Sequence, residues 1–174
     1  RDAYERYWQR KAQVAELRAS VGCEPFETTT KNRLNRLDTG LNETYLFHGT
    51  NPEAAHAIAK DLFRIEKAGS CGGVMFGPGI YLAENASKSD EYAKEGSGVY
   101  VGLCAMLVCR ATMGRTLTVA AAGDYSGQVL SGEYDSLCGD RLAAAGTFRE
   151  MVFFHEDAVY TEFIVIYARV YGDD

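Results

Sequence analysis

Two rhythms of apolar residues run through this chain, and each predicts a different kind of element. Over YERYWQRKAQVAELRAS, residues 4–20, Trp8, Ala12, Ala15 and Ala19 share one side of a 3.6-residue helix while arginine and lysine lie off that stripe. Gly22 is the expected stop. TYLFHGT, residues 44–50, is strand-like, and Asn51, Pro52 and Glu53 then supply a capping residue, a proline for the first helical position and an acid for the first turn. A helix from Ala54 to Leu62 follows. ENASKSDEYAKEG, residues 84–96, has the same grammar, with Asn85 or Ser87 as cap, Asp90 and Glu91 early, and Gly96 as stop. VYVGLCAMLVCRATM (99–113) and VYTEFIVIYARVY (159–171) are rich in β-branched and aromatic residues and apolar on both faces, as central strands are. Residues 23–44 read as a polar connecting stretch with room for a short helix around Leu34 and Leu37. Helices lead and strands finish, which is the order of an α+β fold.

Composition narrows the function classes. The 174 residues, 47% hydrophobic and 24% charged, suit one domain with a sizeable core. A formal charge of −6 argues against a surface built to grip nucleic acid. The longest apolar run, Val99 to Cys109, is far short of the roughly 20 residues that cross a bilayer, so no membrane span is expected. The five cysteines are odd in number and without paired C-x-x-C spacing, which suggests neither a disulfide framework nor a zinc cage. A reducing, intracellular setting, nuclear or cytoplasmic, is the expectation. The chain opens on Arg1 with no signal-like segment behind it and reads as a fragment of a longer protein.

MFGPGIYLAENASKSDEYA, residues 75–93, looks like a nucleotide loop and fits neither common fingerprint. Gly72 to Gly77 has P-loop spacing, but Pro78 stands where the lysine belongs and no Ser or Thr follows. As a dinucleotide motif, Gly77 and Gly79 are followed by Leu82 at the third glycine position. What remains is a tight turn feeding the short strand Ile80 to Leu82. In the helix behind it Ser89 and Tyr92 are three apart and share a face, so Tyr81 and Tyr92 could present two rings, and Ser89 a hydroxyl, to one cleft. Core tyrosines and a surface serine are the plainer alternative. His48, ending a strand beside Gly49, is equally open to a structural role. Glu162 heads an apolar run, Phe163 to Tyr167, where an unpaired buried carboxylate would cost several kcal/mol. It needs water or a bound partner, and a cleft at the strand end would supply both.

The pieces LFHGT, GGVMFGPGIYLAENASKSDEYA and AVYTEFIVIY, in that order, resemble the catalytic domain of the poly(ADP-ribose) polymerase family, from about Tyr45 to Tyr171. The likeness is strongest to the tankyrase and mono-ADP-ribosyltransferase branches, the segment YDSLCGDR being similar to the latter. The resemblance implies the diphtheria-toxin-like ADP-ribosyltransferase fold: two packed, mainly antiparallel sheets with flanking helices. It further implies a catalytic core over residues 45–174, with residues 1–44 packed on it as helix and connector. NAD is then the substrate, the acceptor is a protein or the chain itself, and no metal is required. The family's His-Tyr-Glu triad falls on His48, Tyr81 and Glu162. His48 would bond the adenosine ribose, Gly49 and Ser89 would hold the nicotinamide amide, and Tyr81 and Tyr92 would sandwich its ring. Thr50 replaces the commoner serine after His-Gly, and Arg64 matches a position that contacts the adenosine side in some members, a surface salt bridge being an equally good reading. Glu162 would stabilise the oxocarbenium-like ribose. The alternative class is a silent NAD- or ADP-ribose-binding module on the same fold, and hydrolysis without transfer is a minor third outcome.

Departures from the family are equally specific. Pro78 stands where the nuclear polymerase has Lys and tankyrase Ala, which stiffens the turn. The tankyrase zinc loop is missing between Gly96 and Val99, and 44 leading residues leave no space for the regulatory helical domain. Together with YDSLCGDR, the missing loop tilts the expectation toward mono- or short-chain transfer. IEKAGSCGG, residues 65–73, is expected to form a small, mobile cover over the NAD site.

Overall fold

The computed structural model describes residues 2–30, 36–67, 74–141 and 146–170. The capping grammar after the first strand is realised: Asn51 accepts a hydrogen bond from the Ala54 amide at 2.7 Å, and Pro52 opens helix α2 (Pro52–Asp61) directly behind strand β1 (Glu43–Thr50). Helix α1 (Asp2–Arg18) precedes them, and the Gly22 amide closes on the Arg18 carbonyl at 2.7 Å. Downstream come β2 (Ile80–Leu82), α3 (Ala86–Asp90), β3 (Cys104–Thr112), β4 (Thr116–Val119), α4 (Ser126–Leu130), β5 (Ser136–Gly139), β6 (Glu150–Phe153) and β7 (Val159–Tyr167). Helix α3 is a single turn rather than the run to Gly96 that its sequence predicts. Of the expected cover at 65–73, Ile65–Lys67 form a 3-10 turn and residues 68–73 lie outside the described residues, as do Leu34 and Tyr171.

The strands make two sheets, in the orders β1-β3-β7 and β2-β6-β5-β4, antiparallel throughout except for the parallel pair β4 and β5. This is the expected α+β arrangement. Their inner faces share one core, with Leu46, Leu107 and Cys109 from the first sheet meeting Ile80, Leu82, Met151 and Phe153 from the second, and Ala55 and Phe63 closing it from the α2 side. A second cluster, Phe76, Val129, Leu137, Val152 and Phe154, covers the far side of β6. Phe47 and Ala83 form an isolated antiparallel bridge, each amide donating to the other's carbonyl at 2.8 and 2.9 Å, and so join the two sheets where the middle of β1 passes the end of β2.

Two expectations about faces fail for identifiable reasons. Strand β3 is central, but β7 is an outer strand whose Phe163 and Val165 are 40% and 45% exposed, because its only partner among the described residues is β3. In α1 the buried side is Tyr7, Lys11, Val14 and Arg18, not the Trp8–Ala12–Ala15–Ala19 stripe. Charge partners decide it. Lys11 pairs with the fully buried Glu43 side chain at 2.8 Å, the Tyr7 hydroxyl donates to the same carboxylate at 2.6 Å, and Arg18 reaches Asp135 at 2.7 Å. Long amphipathic side chains thus cover apolar surface with their stems while their heads meet buried acids. Removing one partner leaves a buried carboxylate short of a counter-charge. Lys11→Met will therefore lower unfolding stability by about 3 kcal/mol, whereas Ala15→Glu on the exposed side will change it by no more than about 0.5 kcal/mol in a urea titration. Equal losses would mean that α1 packs through its alanine stripe.

Candidate active site

Where the Phe47–Ala83 bridge brings the two sheets together, a cavity of about 460 Å³ opens between β1, α2, β2 and α3. Seven of the eight residues singled out in the sequence line it: His48, Gly49, Thr50, Arg64, Tyr81, Ser89 and Tyr92. The bridge explains the nearness of the first pair, since it sets His48 on β1 beside the end of β2, where its Nδ1 lies 3.0 Å from the Tyr81 carbonyl. A carbonyl can only accept, so Nδ1 carries the proton and Nε2 of the neutral ring is an acceptor. The His48 ring meets Phe63 edge-on at 5.0 Å, and burial lowers its pKa, opposed by the bond to Tyr81.

Tyr81 is held by the glycine turn that precedes it. Its hydroxyl donates to the Gly77 carbonyl at 2.8 Å and accepts from the Phe76 amide at 2.9 Å, while burial raises its pKa. The turn thereby fixes the ring. A Cβ at Gly79 would stand 2.7 Å from Val152 Cγ1 and 2.8 Å from the Phe153 carbonyl oxygen, so the missing side chain makes space for β6. Gly49 is the tighter case. A Cβ there would lie 1.8 Å from the Ser89 carbonyl oxygen, so α3 rests directly on the β1 backbone. Ser89 is buried and its hydroxyl donates to the Phe47 carbonyl at 2.8 Å. Lys88 lies over the Tyr92 ring at 4.9 Å and pairs with Glu91 at 2.8 Å.

Glu162 is not part of this constellation. It is absent from the cavity wall, and its carboxylate is taken by the Tyr45 hydroxyl at 2.7 Å and by Arg110 Nε at 2.9 Å. The cause is a register shift between β3 and β7: Thr161 faces Cys109 and Phe163 faces Val108, so Glu162 is the extra residue of a bulge. Arg110 in turn stands 3.5 Å from Glu43, which makes Glu162 one end of a chain of charges running to Lys11 on α1. The Tyr45 hydroxyl and the Arg110 guanidinium supply partners of the kind that its partial burial demands.

The cavity's own glutamate is Glu150, the first residue of β6, 8% exposed and 3.9 Å from Lys88 Nζ. Strand β6 pairs with β2 so that Met151 faces Leu82 and Val152 faces Tyr81, which sets Glu150 one step beyond, at the bridge. The preceding residue reinforces this. Arg149 grips the buried Glu84 through two bonds, 2.7 and 2.8 Å, and so fastens the start of β6 to the segment between β2 and α3. The sequence signal was available: Glu150 opens the apolar run Met151 to Phe154 just as Glu162 opens its own. Also missed were Lys67, Lys88 and Lys94, which with Arg64 give the cavity four cations against the carboxylates of Asp61 and Glu150, in a chain of net charge −6. Such a wall is made for an anionic ligand with an apolar part.

Among known proteins, the family described as "Poly(ADP-ribose) polymerase catalytic domain" matches residues 7–165. A curated protein of Caenorhabditis elegans, "Poly [ADP-ribose] polymerase tankyrase", is 37% identical over 79 residues, which is 45% of this chain and 3% of that protein's length. The family match covers all the strands but the last residues of β7, together with the whole cavity. The chain therefore belongs to the poly(ADP-ribose) polymerase catalytic domain family and has the ADP-ribosyltransferase fold.

Proposed function

We propose that this chain binds NAD in the cavity, breaks the bond between nicotinamide and ribose, and passes ADP-ribose to a protein acceptor, itself included. The observation that carries the reading is the convergence of His48, Tyr81 and Glu150, from three strands of two sheets, on one cavity lined by more cations than acids. Arg64 and Lys67 suit the pyrophosphate and adenosine end. Ser89, Gly49 and the rings of Tyr81 and Tyr92 suit the nicotinamide, whose oxidised ring is a cation that aromatic faces attract by roughly 0.5–2 kcal/mol each. The bonding electrons leave with the nicotinamide nitrogen, and positive charge develops on the ribose. Glu150 takes the role that the sequence had suggested for Glu162: its carboxylate stabilises that charge, bonds the 2′-hydroxyl and receives the acceptor's proton. The free thiols of Cys23, Cys104, Cys109 and Cys138 support a reducing, intracellular setting.

Two variants separate the carboxylates. With labelled NAD, Glu150→Gln will slow nicotinamide release by about 10²–10³. Glu162→Gln, which loosens the tie to Arg110, will lower the melting temperature and leave the folded fraction active. A wild-type chain that becomes labelled supports transfer, a ladder of bands reporting polymer and a single shifted band one unit. Activity lost in folded Glu162→Gln and kept in Glu150→Gln would reverse the assignment, and NAD binding without nicotinamide release would make this a silent binding module.

The neutral state of His48 has its own signature. An imidazole in the unfolded chain charges near pH ~6.5, and the folded ring only at lower pH, so the stability owed to the neutral ring is complete above that value and lost as pH falls through the folded one. The melting temperature will thus fall below about pH 6.5, and His48→Gln will flatten part of that fall. His155, lowered by burial and by Arg10, contributes in the same direction. An unchanged acid slope in His48→Gln would show that the ring is not held neutral.

A further inference from the structure

Helix α3 carries Lys88 and Ser89 to the cavity, with Tyr92 just past its end, yet it has little of its own to hold it in place. Five residues make one turn, which is marginal alone, and the Asn85 side chain forms no capping bond. On one side α3 is pressed against β1 at Gly49. Its other end is held from β7. Arg169 Nε contacts both Asp90 carboxylate oxygens at 3.1 Å, and its Nη2 donates to the carbonyls of Asp90 and Ala93, the latter at 3.2 Å. Tyr167, the last residue of β7, donates its hydroxyl to the same Asp90 carboxylate, and burial together with that acid raises its pKa. A single guanidinium thus covers the carbonyls that end the turn and also fixes the acid within it. An isolated exposed ion pair does little, but a planar fork bound to a carboxylate and two carbonyls restricts rotation of everything it touches.

We infer that Arg169, with Tyr167 and Asp90, is a positioning residue for the nicotinamide-binding wall, fixing α3 so that Lys88, Ser89 and Tyr92 face the cavity. The inference rests on the NAD reading of the site. None of the three clamp residues lines the cavity, so their effect is through α3. The adenosine end, built from α2 and the turn after it, packs on β7 but receives no hydrogen bond from Asp90, Tyr167 or Arg169, so the consequence is selective. Misplacing a binding group by about 1 Å can cost up to ~10²-fold.

Calorimetric titration of the purified chain with two fragments of NAD tests this. In Arg169→Ala, affinity for free nicotinamide will fall by about tenfold or more while affinity for ADP-ribose stays as in wild type. Arg169→Lys will recover only part of the loss, since one ammonium cannot span the carboxylate and both carbonyls. Should Arg169→Ala fail to fold, Tyr167→Phe removes one bond of the clamp and will shift the nicotinamide-to-ADP-ribose affinity ratio in the same direction by less. Equal loss for both fragments, or no loss for either, overturns the inference while leaving the NAD reading intact. A wild-type chain that binds neither fragment overturns both.

Discussion

The pair of backbone hydrogen bonds between Phe47 and Ala83 is what the site depends on. Without it His48 belongs to one sheet, Tyr81 and Glu150 to another, and nothing in the local sequence brings them together. Two such bonds contribute only about 0.5–1.5 kcal/mol each on balance, so they cannot hold the sheets alone. They are kept in place by the core around them, where Leu46 and Leu107 pack against Ile80 and Leu82 out of contact with water. The bridge converts that non-directional attraction into a fixed register. One imidazole then sits against one carbonyl, and the first residue of β6 falls into the same opening.

Charge is distributed with a similar division of labour. Behind the first sheet, Lys11, Glu43, Arg110 and Glu162 form a chain of buried or half-buried ions that fastens α1 and the bulge of β7 to β1. Taking these groups from water is costly, and the arrangement is tolerable because nearly every oxygen has a hydrogen-bond donor. In the cavity the logic is reversed. There cations outnumber carboxylates, and Glu150 has one cation at 3.9 Å rather than a tight partner, which leaves its oxygens available to a ligand. The two glutamates thus differ less in chemistry than in what the fold has placed against them.

That difference marks the limit of what the sequence could tell. Elements governed by neighbours in the chain were legible, such as β1, the Asn51-Pro52 start of α2 and the glycine turn that ends in Tyr81. So was the clustering of His48, Tyr81, Ser89 and Tyr92, because short motifs carry it. Which of Glu150 and Glu162 lines the cavity was not, since both open an apolar strand and look alike to any local rule. It is decided by pairing across long separations: β6 lies beside β2, whereas β7 lies beside β3 with a bulge. The buried side of α1 was hidden for the same reason. Lys11 and Arg18 face inward only because Glu43 and Asp135, far along the chain, are there to meet them.

The measurement closest to the central claim is a crystal structure of the chain with an NAD analogue whose glycosidic bond cannot break. A Glu150 carboxylate oxygen will lie within about 3 Å of the 2′-hydroxyl of the nicotinamide ribose, and Glu162 will remain bound to Arg110. Dinucleotide bound away from the His48–Tyr81–Glu150 cavity, or a Glu162 carboxylate turned onto the ribose, would contradict it.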